Sequence, residues 1–278
     1  MRRINTAGLF LPLQDELVAL LRGLGESDWT RPTVAPRWAV KDVATHLLDT
    51  DLRRLSAHRD GYRPRSHDGA ADVRGYDDIL TLINDLNASW VETAGRLSPR
   101  VLIDLLEWTG PQVAHLFASL PPDATAHIAV AWAGEDASTN WMDVGREYTE
   151  KWHHQAQIRD AVGAPALDGR RWLAPVLELS MYALPHAFRD AEAERGSCLS
   201  VTIEGEAGGV WHIVKHDAAW KLREGEAAEA AARVRLDADT AWRLFFNALT
   251  REEAGRRIEA VGDEKLCAIF LSVRSVMV

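Results

Sequence analysis

The spacing of apolar residues changes once along this chain, and this change constrains the fold more than any other feature. Before residue 163, apolar side chains recur every three or four positions, as at Leu13, Leu17 and Leu20, which is the period of an amphipathic helix. Within residues 198–236 they alternate with polar side chains, as in half-buried strands. The sequence predicts an N-terminal all-α up-down four-helix bundle over residues 1–166 and a smaller α+β domain over 167–278.

Individual elements follow from the same patterns. Helices are predicted over residues 13–24, from 40 to near 61, and over 77–97 and 138–162. Residues 98–120 are predicted to form one or two more, with Pro111 marking a kink or break. In the second half, a helix over 171–193 precedes strands over 198–204, 210–216, 219–223 and 233–236, and helices over 240–249 and 263–277 close the chain. The apolar run 127–132 is the one segment of the first half that suggests an extended conformation.

Composition excludes several classes of function. Lys and Arg number 32 against 41 Asp and Glu, a net charge of −9, which argues against a nucleic-acid partner held by phosphate contacts. No run of about 18 apolar residues is present, so no membrane-spanning helix is predicted. With only Cys198 and Cys267, far apart, neither a disulfide framework nor a cysteine-rich metal site is expected, and a cytoplasmic location is predicted.

A candidate metal site begins on the predicted helix over 138–162. Glu150 and His154 are four residues apart, so their side chains project from the same face and can share a metal ion. A pair with this spacing is more often a solvated surface contact. A metal therefore requires a third ligand from another helix that faces the bundle interior.

His46 is the best candidate for this third ligand. It lies one turn after Val43 and beside Leu47, on or next to the buried face of its helix. A single histidine in such a place is usually a core residue with a backbone hydrogen bond, and this alternative stays open. Two imidazoles and one carboxylate would leave a coordination position open, which is the arrangement of a catalytic site.

These segments resemble a known family. The spacing of Trp38 and His46 resembles the Trp-x(7)-His motif of the DinB/YfiT-like metal-binding helix bundles, and residues 146–161 resemble the second ligand helix of their mycothiol-dependent maleylpyruvate isomerase branch. The segment from Ala232 to Phe245 is similar to the sterol-carrier-protein-like domain of that branch. The resemblance covers nearly the whole chain.

The resemblance implies a divalent metal held by His46, Glu150 and His154, usually zinc, with nickel and iron as alternatives. No other catalytic residue is implied. His153 and Glu147 are competing candidates for the ligand set. His154 is preferred over His153 because its spacing from Glu150 matches the family pattern, and because His153 turns about 100° away on an ideal helix.

The resemblance also implies a reaction. A metal with an open position converts the thiol of mycothiol to the attacking thiolate, which adds to a small electrophile. The outcome is either cis-trans isomerisation, as with maleylpyruvate, or a thiol conjugate made by an S-transferase. An anionic substrate or cosubstrate favours an arginine contact, and Arg159 on the metal helix is the first candidate. The other candidates are Arg189, Arg233 and Arg235, while His115 and His186 are interpreted as structural.

Two alternative functions remain at this stage. A metal-dependent hydrolase would activate water at the same metal. A non-catalytic protein would bind a metal or small ligand in the bundle and an apolar molecule in the second domain. The sequence leaves open a monomer or a homodimer, and it predicts small molecules as partners.

Overall fold

The computed structural model describes residues 2–62 and 76–276, and for residues 76–79 it describes the backbone alone. The chain divides into two compact units. One, the helical unit, contains residues 7–121 and 151–166; the other, the sheet unit, contains residues 1–6, 122–150 and 167–278. The cut after residue 166 coincides with the predicted boundary, but the division assigns two further segments to the sheet unit. The predicted single boundary therefore stays a prediction.

The helical unit has an apolar core between its main helices, most of which contribute buried side chains, while the helix of Trp90 contributes a partly buried one. The main helices are α1 (Phe10–Arg22), α2 (Val40–Arg54), α3 (Tyr76–Ala94), α4 (Pro99–Ser119) and the C-terminal half of α5 (Asn140–Val162). Leu21, Val43, Leu106 and Ile158 are among its buried members. These positions follow the three-and-four spacing read from the sequence, so burial of one face of each helix stabilises the unit.

Helix α2 begins where its sequence supplies a cap. The Asp42 carboxylate accepts a hydrogen bond from the Ala39 backbone N–H at 2.9 Å, which satisfies a donor ahead of the first turn. Val40 and Val43 are then fully buried, and His46 follows one turn later with 7% of its surface exposed. The cap and the apolar face together fix which way His46 projects.

Helix α4 is continuous through Pro111, so residues 98–120 form one helix. The close approach of α1 occurs just before this proline. Gly110 lies against the side chain of Gln14, and a Cβ at Gly110 would lie 2.4 Å from Gln14 Cδ. Gln14 Nε2 donates to the Leu106 carbonyl at 2.8 Å. The absence of a side chain at Gly110 thus allows α1 to contact α4 closely.

A buried ion pair connects three helices of this unit. Lys151 Nζ on α5 contacts the carboxylate of Asp51 on α2, and Asp51 is fully buried. The second oxygen of that carboxylate accepts a hydrogen bond from Thr109 on α4 at 2.8 Å. Both carboxylate oxygens are therefore engaged, as burial of the charge requires.

The sheet unit contains a five-stranded sheet with the order β3-β2-β1-β4-β5. The strands are β1 (Cys198–Glu204), β2 (Gly209–His216), β3 (Ala219–Glu224), β4 (Ala232–Asp237) and β5 (Glu259–Gly262). Strands β1 and β4 pair in parallel, with Val201 opposite Val234, and the other neighbours are antiparallel. The helices of this unit beyond α5 are α6 (Arg170–Ser180), α7 (Ala183–Ala187), α8 (Ala238–Phe245), α9 (Arg251–Arg257) and α10 (Glu264–Phe270).

The predicted fold class is confirmed, a helical N-terminal region followed by a smaller domain with a sheet. The four predicted strands are present, but β5 escaped prediction because all four of its residues are exposed and carry no alternating pattern. The extended interpretation of residues 127–132 was wrong, since 131–133 form a short 3₁₀ turn. Among the described residues, no helix is long and apolar enough to cross a membrane.

Candidate metal centre

The candidate metal ligands lie on α5. One ligand atom from each of Glu150, His153 and His154 lies within 4.8 Å of the others, and both histidines are buried. Residues three and four positions apart are neighbours on a helix surface, which brings both His153 and His154 beside Glu150. The donor set is two imidazoles and a carboxylate, which suits zinc and other divalent first-row metals. The residues therefore fit the metal that the sequence predicted.

His46 reaches His154 from α2. Its ring and that of His154 meet edge to face, with centroids 4.8 Å apart. Trp38 lies against both imidazoles, at 4.8 Å from His46 and 6.1 Å from His154. The structure thus brings together the tryptophan and histidine of the first motif and the second histidine of the other. The assignment of His46, Glu150 and His154 as the ligand set stays a prediction.

The orientation of His154 is set by its own helix as well as by its neighbours. Its Nδ1 lies 2.9 Å from Oε1 of Gln157, one turn further along α5, and both side chains are buried. The His153 ring lies 3.9 Å from it, centroid to centroid. The rings of His46 and His153 therefore pack against the His154 imidazole, and the Gln157 amide contacts its Nδ1.

Charges of both signs alternate along the preceding turns of α5. Arg146 forms ion pairs with Asp143, at 3.1 Å, and with Glu147. Burial alone would lower the pKa of Arg146, but three carboxylates on the same helix raise it above its ordinary value. They are Glu147, Asp143 and Glu150, in decreasing order of effect. Arg146 therefore stays charged and offsets part of the negative charge next to the candidate ligands.

Arg159, the predicted cosubstrate contact, is buried and engaged by the protein. It donates to the Pro165 carbonyl at 2.8 Å and to the Glu16 carboxylate at 2.9 Å. Burial lowers its pKa, and Glu16 counteracts part of that shift. Arg189, Arg233 and Arg235 are exposed. A role of these four arginines in binding stays a prediction.

Neither cysteine is suited to act as a nucleophile. Both are free thiols, and burial raises the pKa of Cys198 and of Cys267 above the usual range. A raised pKa reduces the thiolate fraction at neutral pH, and the thiolate is the attacking form.

Two site residues are not assigned by the sequence patterns. His153 was set aside because of its angle on an ideal helix, yet its ligand atom lies close to those of Glu150 and His154. Rotation about its side-chain bonds compensates for the angle, which spacing alone does not reveal. Gln157 carries no chemical signature of its own, although its spacing of three from His154 is a usable signal.

Comparisons with known proteins agree with this geometry. The family model described as the mycothiol maleylpyruvate isomerase N-terminal domain matches residues 10–159, which hold all the histidines and the glutamate of the candidate site. The chain belongs to the mycothiol maleylpyruvate isomerase family. The family resemblance predicted from the two motifs is thereby confirmed, together with the prediction that this is an enzyme.

Individual relatives and solved structures have low sequence identity to this chain. An uncharacterized protein of Mycobacterium tuberculosis, with the same match in two strains, is 28% identical over 219 residues, covering 75% of this chain and 76% of the relative. The crystal structure of a mycothiol-dependent maleylpyruvate isomerase covers 86% of both chains with a TM-score of 0.52 and 10% identity. The crystal structure of a histidine-to-alanine mutant of a mycothiol-dependent maleylpyruvate isomerase matches with a TM-score of 0.55 and 8% identity. It covers 91% of this chain and 90% of the other. These structures share the fold.

Proposed function

We propose that this protein is a metal-dependent enzyme that uses mycothiol to attack a small electrophile. The observation that carries the proposal is the convergence of Glu150, His153 and His154 on one turn of α5, in a chain of the mycothiol maleylpyruvate isomerase family. A group of two buried imidazoles and a partly buried carboxylate is a metal-binding arrangement that leaves a coordination position for a further ligand.

His46, Glu150 and His154 are the proposed ligands. His46 is included because its ring lies against that of His154 from a separate helix, which gives the site a ligand whose position does not depend on α5 alone. Zinc is the proposed metal, with nickel and iron as alternatives. When bound, such a metal lowers the pKa of a coordinated thiol, so that the sulfur is present as a thiolate at neutral pH.

The thiol in this proposal comes from mycothiol. The two cysteines of the chain have raised pKa values and therefore little thiolate, which supports an external nucleophile. The protein would position mycothiol and the electrophile and exclude water from the site. Such a small-molecule thiol exists in a reducing compartment, which is consistent with a cytoplasmic location.

Two outcomes of the attack are compatible with the site. In the first, sulfur bonds to one carbon of an activated double bond, and the π electrons move to the carbonyl next to the other carbon. After rotation about the resulting single bond, the C–S bond breaks and the double bond returns in the trans arrangement, as for maleylpyruvate. In the second, the adduct takes up a proton on carbon and leaves as a thiol conjugate.

The test is a metal analysis followed by turnover assays. Mass spectrometry of the purified protein should find about one divalent metal per chain, lost on replacing His154. Maleylpyruvate and a panel of electrophiles are then assayed with and without mycothiol. Turnover is expected only when mycothiol is present. Absence of mycothiol-dependent turnover in metal-loaded protein would contradict the proposal, and hydrolysis without thiol would replace it with the hydrolase alternative.

The same assays test Arg159. A substitution of Arg159 by Gln raises the KM for mycothiol if its guanidinium binds the cosubstrate, and leaves KM unchanged if it serves only Glu16 and Pro165. Equilibrium sedimentation of the same preparation distinguishes a monomer from a homodimer, which the sequence left open.

A further inference from the structure

The hydrogen bond between Gln157 and His154 determines which imidazole nitrogen carries a proton. Gln157 Oε1 lies 2.9 Å from His154 Nδ1, and the two residues are 5% and 7% exposed. An amide oxygen only accepts hydrogen bonds, so Nδ1 must donate. In a neutral imidazole, the remaining nitrogen, Nε2, then carries the lone pair that a metal requires.

We propose that Gln157 is a positioning residue that fixes the tautomer and the ring direction of His154, so that Nε2 is presented to the metal. This inference rests on the proposed function, because it assumes that His154 is a ligand. Metal-binding histidines commonly donate their second ring nitrogen to an acceptor, which raises the basicity of the coordinating nitrogen. Here the acceptor is a neutral amide from the same helix.

Ring packing alone would not provide this selection. The His153 ring lies tilted 3.9 Å from the His154 ring, and the His46 ring meets it at 4.8 Å, centroid to centroid, which restricts the plane of the ring. A 180° rotation about the Cβ–Cγ bond leaves the ring in the same plane but exchanges Nδ1 with a ring carbon. Contacts to the ring faces distinguish these two states weakly. The amide oxygen of Gln157 distinguishes them strongly, since a C–H is a poor donor.

A matched control lies two residues away. Gln155 is also buried on α5, with 1% of its surface exposed, but it projects about 200° from Gln157 around the helix. Within the part of the chain that the structure describes, neither atom of the Gln155 amide has a hydrogen-bond partner. Replacing Gln155 therefore alters a residue of the same type and similar burial on the same helix. The hydrogen bond between Gln157 and His154 stays in place.

The experiment compares zinc affinities of Gln157→Leu, Gln157→Glu and Gln155→Leu, by competition with a chromogenic chelator. Loss of the acceptor should weaken zinc binding by about 10-fold to 100-fold in Gln157→Leu, the usual effect of removing an outer-shell partner. Gln157→Glu keeps an acceptor and should retain the affinity, and Gln155→Leu should match the unchanged protein. Equal affinity in Gln157→Leu and the unchanged protein would overturn the inference.

A second readout does not depend on the metal or on turnover. Nitrogen NMR of histidine-labelled, metal-free protein should show His154 as the single Nδ1–H tautomer, and Gln157→Leu should show a mixture, with circular dichroism confirming that it is folded. An unaltered single tautomer in Gln157→Leu overturns the inference even if its zinc affinity falls. If the protein binds zinc through His154 yet lacks thiol-dependent turnover, the proposed function fails while both comparisons still test Gln157.

Discussion

The imidazoles of His46 and His154 meet edge to face, with their centroids 4.8 Å apart and their planes inclined by 74°. They come from α2 and α5, so the contact links two helices of one unit. Rings in this arrangement are in direct contact, so the two imidazoles lie side by side between the two helices. The contact gives the first prediction its physical basis.

Replacing His154 by Asn should abolish stoichiometric metal binding. Removing a residue that only hydrogen-bonds to a ligand typically weakens metal affinity by about 10-fold to 100-fold. Loss of a ligand itself should therefore weaken metal affinity by more than about 100-fold. His153→Asn is the control, since the proposed ligand set does not include it. Metal content by mass spectrometry is the measurement. The reverse pattern, with loss in His153→Asn alone, would assign His153 as the ligand.

The buried ion pair of Lys151 and Asp51 should be essential for stability. Lys151→Met leaves the fully buried Asp51 carboxylate without its counter-charge, which should lower the free energy of unfolding by about 3–5 kcal/mol. Urea denaturation measures the change.

The double variant Asp51→Leu/Lys151→Met provides the control for that prediction. It removes both charges and should be more stable than Lys151→Met, although Thr109 then loses its acceptor. A double variant as unstable as the single one would show that lost packing, and not the unpaired charge, accounts for the effect.

Tyr182 should make stability fall at alkaline pH. Burial, assisted by nearby carboxylates, raises the pKa of Tyr182 to about 12, against an ordinary value of 10. Because the folded state resists ionisation, its stabilising effect is complete below pH 10 and is lost as the pH rises from 10 to about 12.

The variant Tyr182→Phe tests this pH dependence. It loses the hydrogen bond to the Arg2 carbonyl and should be about 1 kcal/mol less stable at pH 7. Above pH 10 the difference between the two proteins should narrow, as followed by urea denaturation at each pH. A constant difference from pH 7 to 11.5 would exclude Tyr182 as the titrating group.

Gly110→Ala should separate α1 from α4. The new Cβ would lie 2.4 Å from Gln14 Cδ, so the Gln14 side chain must move and its hydrogen bond to Leu106 is lost. A cost of about 1–3 kcal/mol is expected from overpacking. Gly8→Ala is the control, since no atom lies within 4 Å of the added Cβ, and its stability should be unchanged. Equal stability of both variants would contradict this account of the helix contact.

Replacing both cysteines by alanine should leave mycothiol-dependent turnover intact. Neither Cys198 nor Cys267 has a lowered pKa, so the reacting sulfur is expected to be that of the cosubstrate. Initial rates with saturating mycothiol, compared at matched amounts of folded protein, measure this. A selective loss of turnover would place a protein thiol in the reaction.

The sequence predicted most of the helices and the first four strands because both depend on periodic burial. Helix α9 was not predicted, and the single helix predicted over 171–193 is two helices, α6 and α7. Val43 and Leu47 define the buried face of α2, and Val201 and Ile203 that of β1. Strand β5 depends instead on pairing with β4 through backbone hydrogen bonds, with Val234 opposite Ala260, and its exposed side chains carry no periodic signal. Strand pairing of this kind is a property of the tertiary structure.

Prediction of the candidate site was limited by side-chain rotation. The spacing of Glu150 and His154 indicated a shared face, and the apolar surroundings of His46 indicated burial. The approach of His153 depends on its rotamer, and the role of Gln157 depends on a hydrogen bond within one turn. Neither is encoded in residue type or spacing alone.

The Lys151–Asp51 ion pair and the His46–His154 contact join the same two helices in opposite chain directions, so α2 and α5 are antiparallel here. Five residues separate the two contacts on α2 and three on α5, which corresponds to about 7.5 Å and 4.5 Å along the helices. An inserted or deleted residue within either interval would turn a histidine by about 100° while the ion pair held its place. These two short intervals are therefore where insertions and deletions should be least tolerated during evolution, whereas surface loops are free to vary in length.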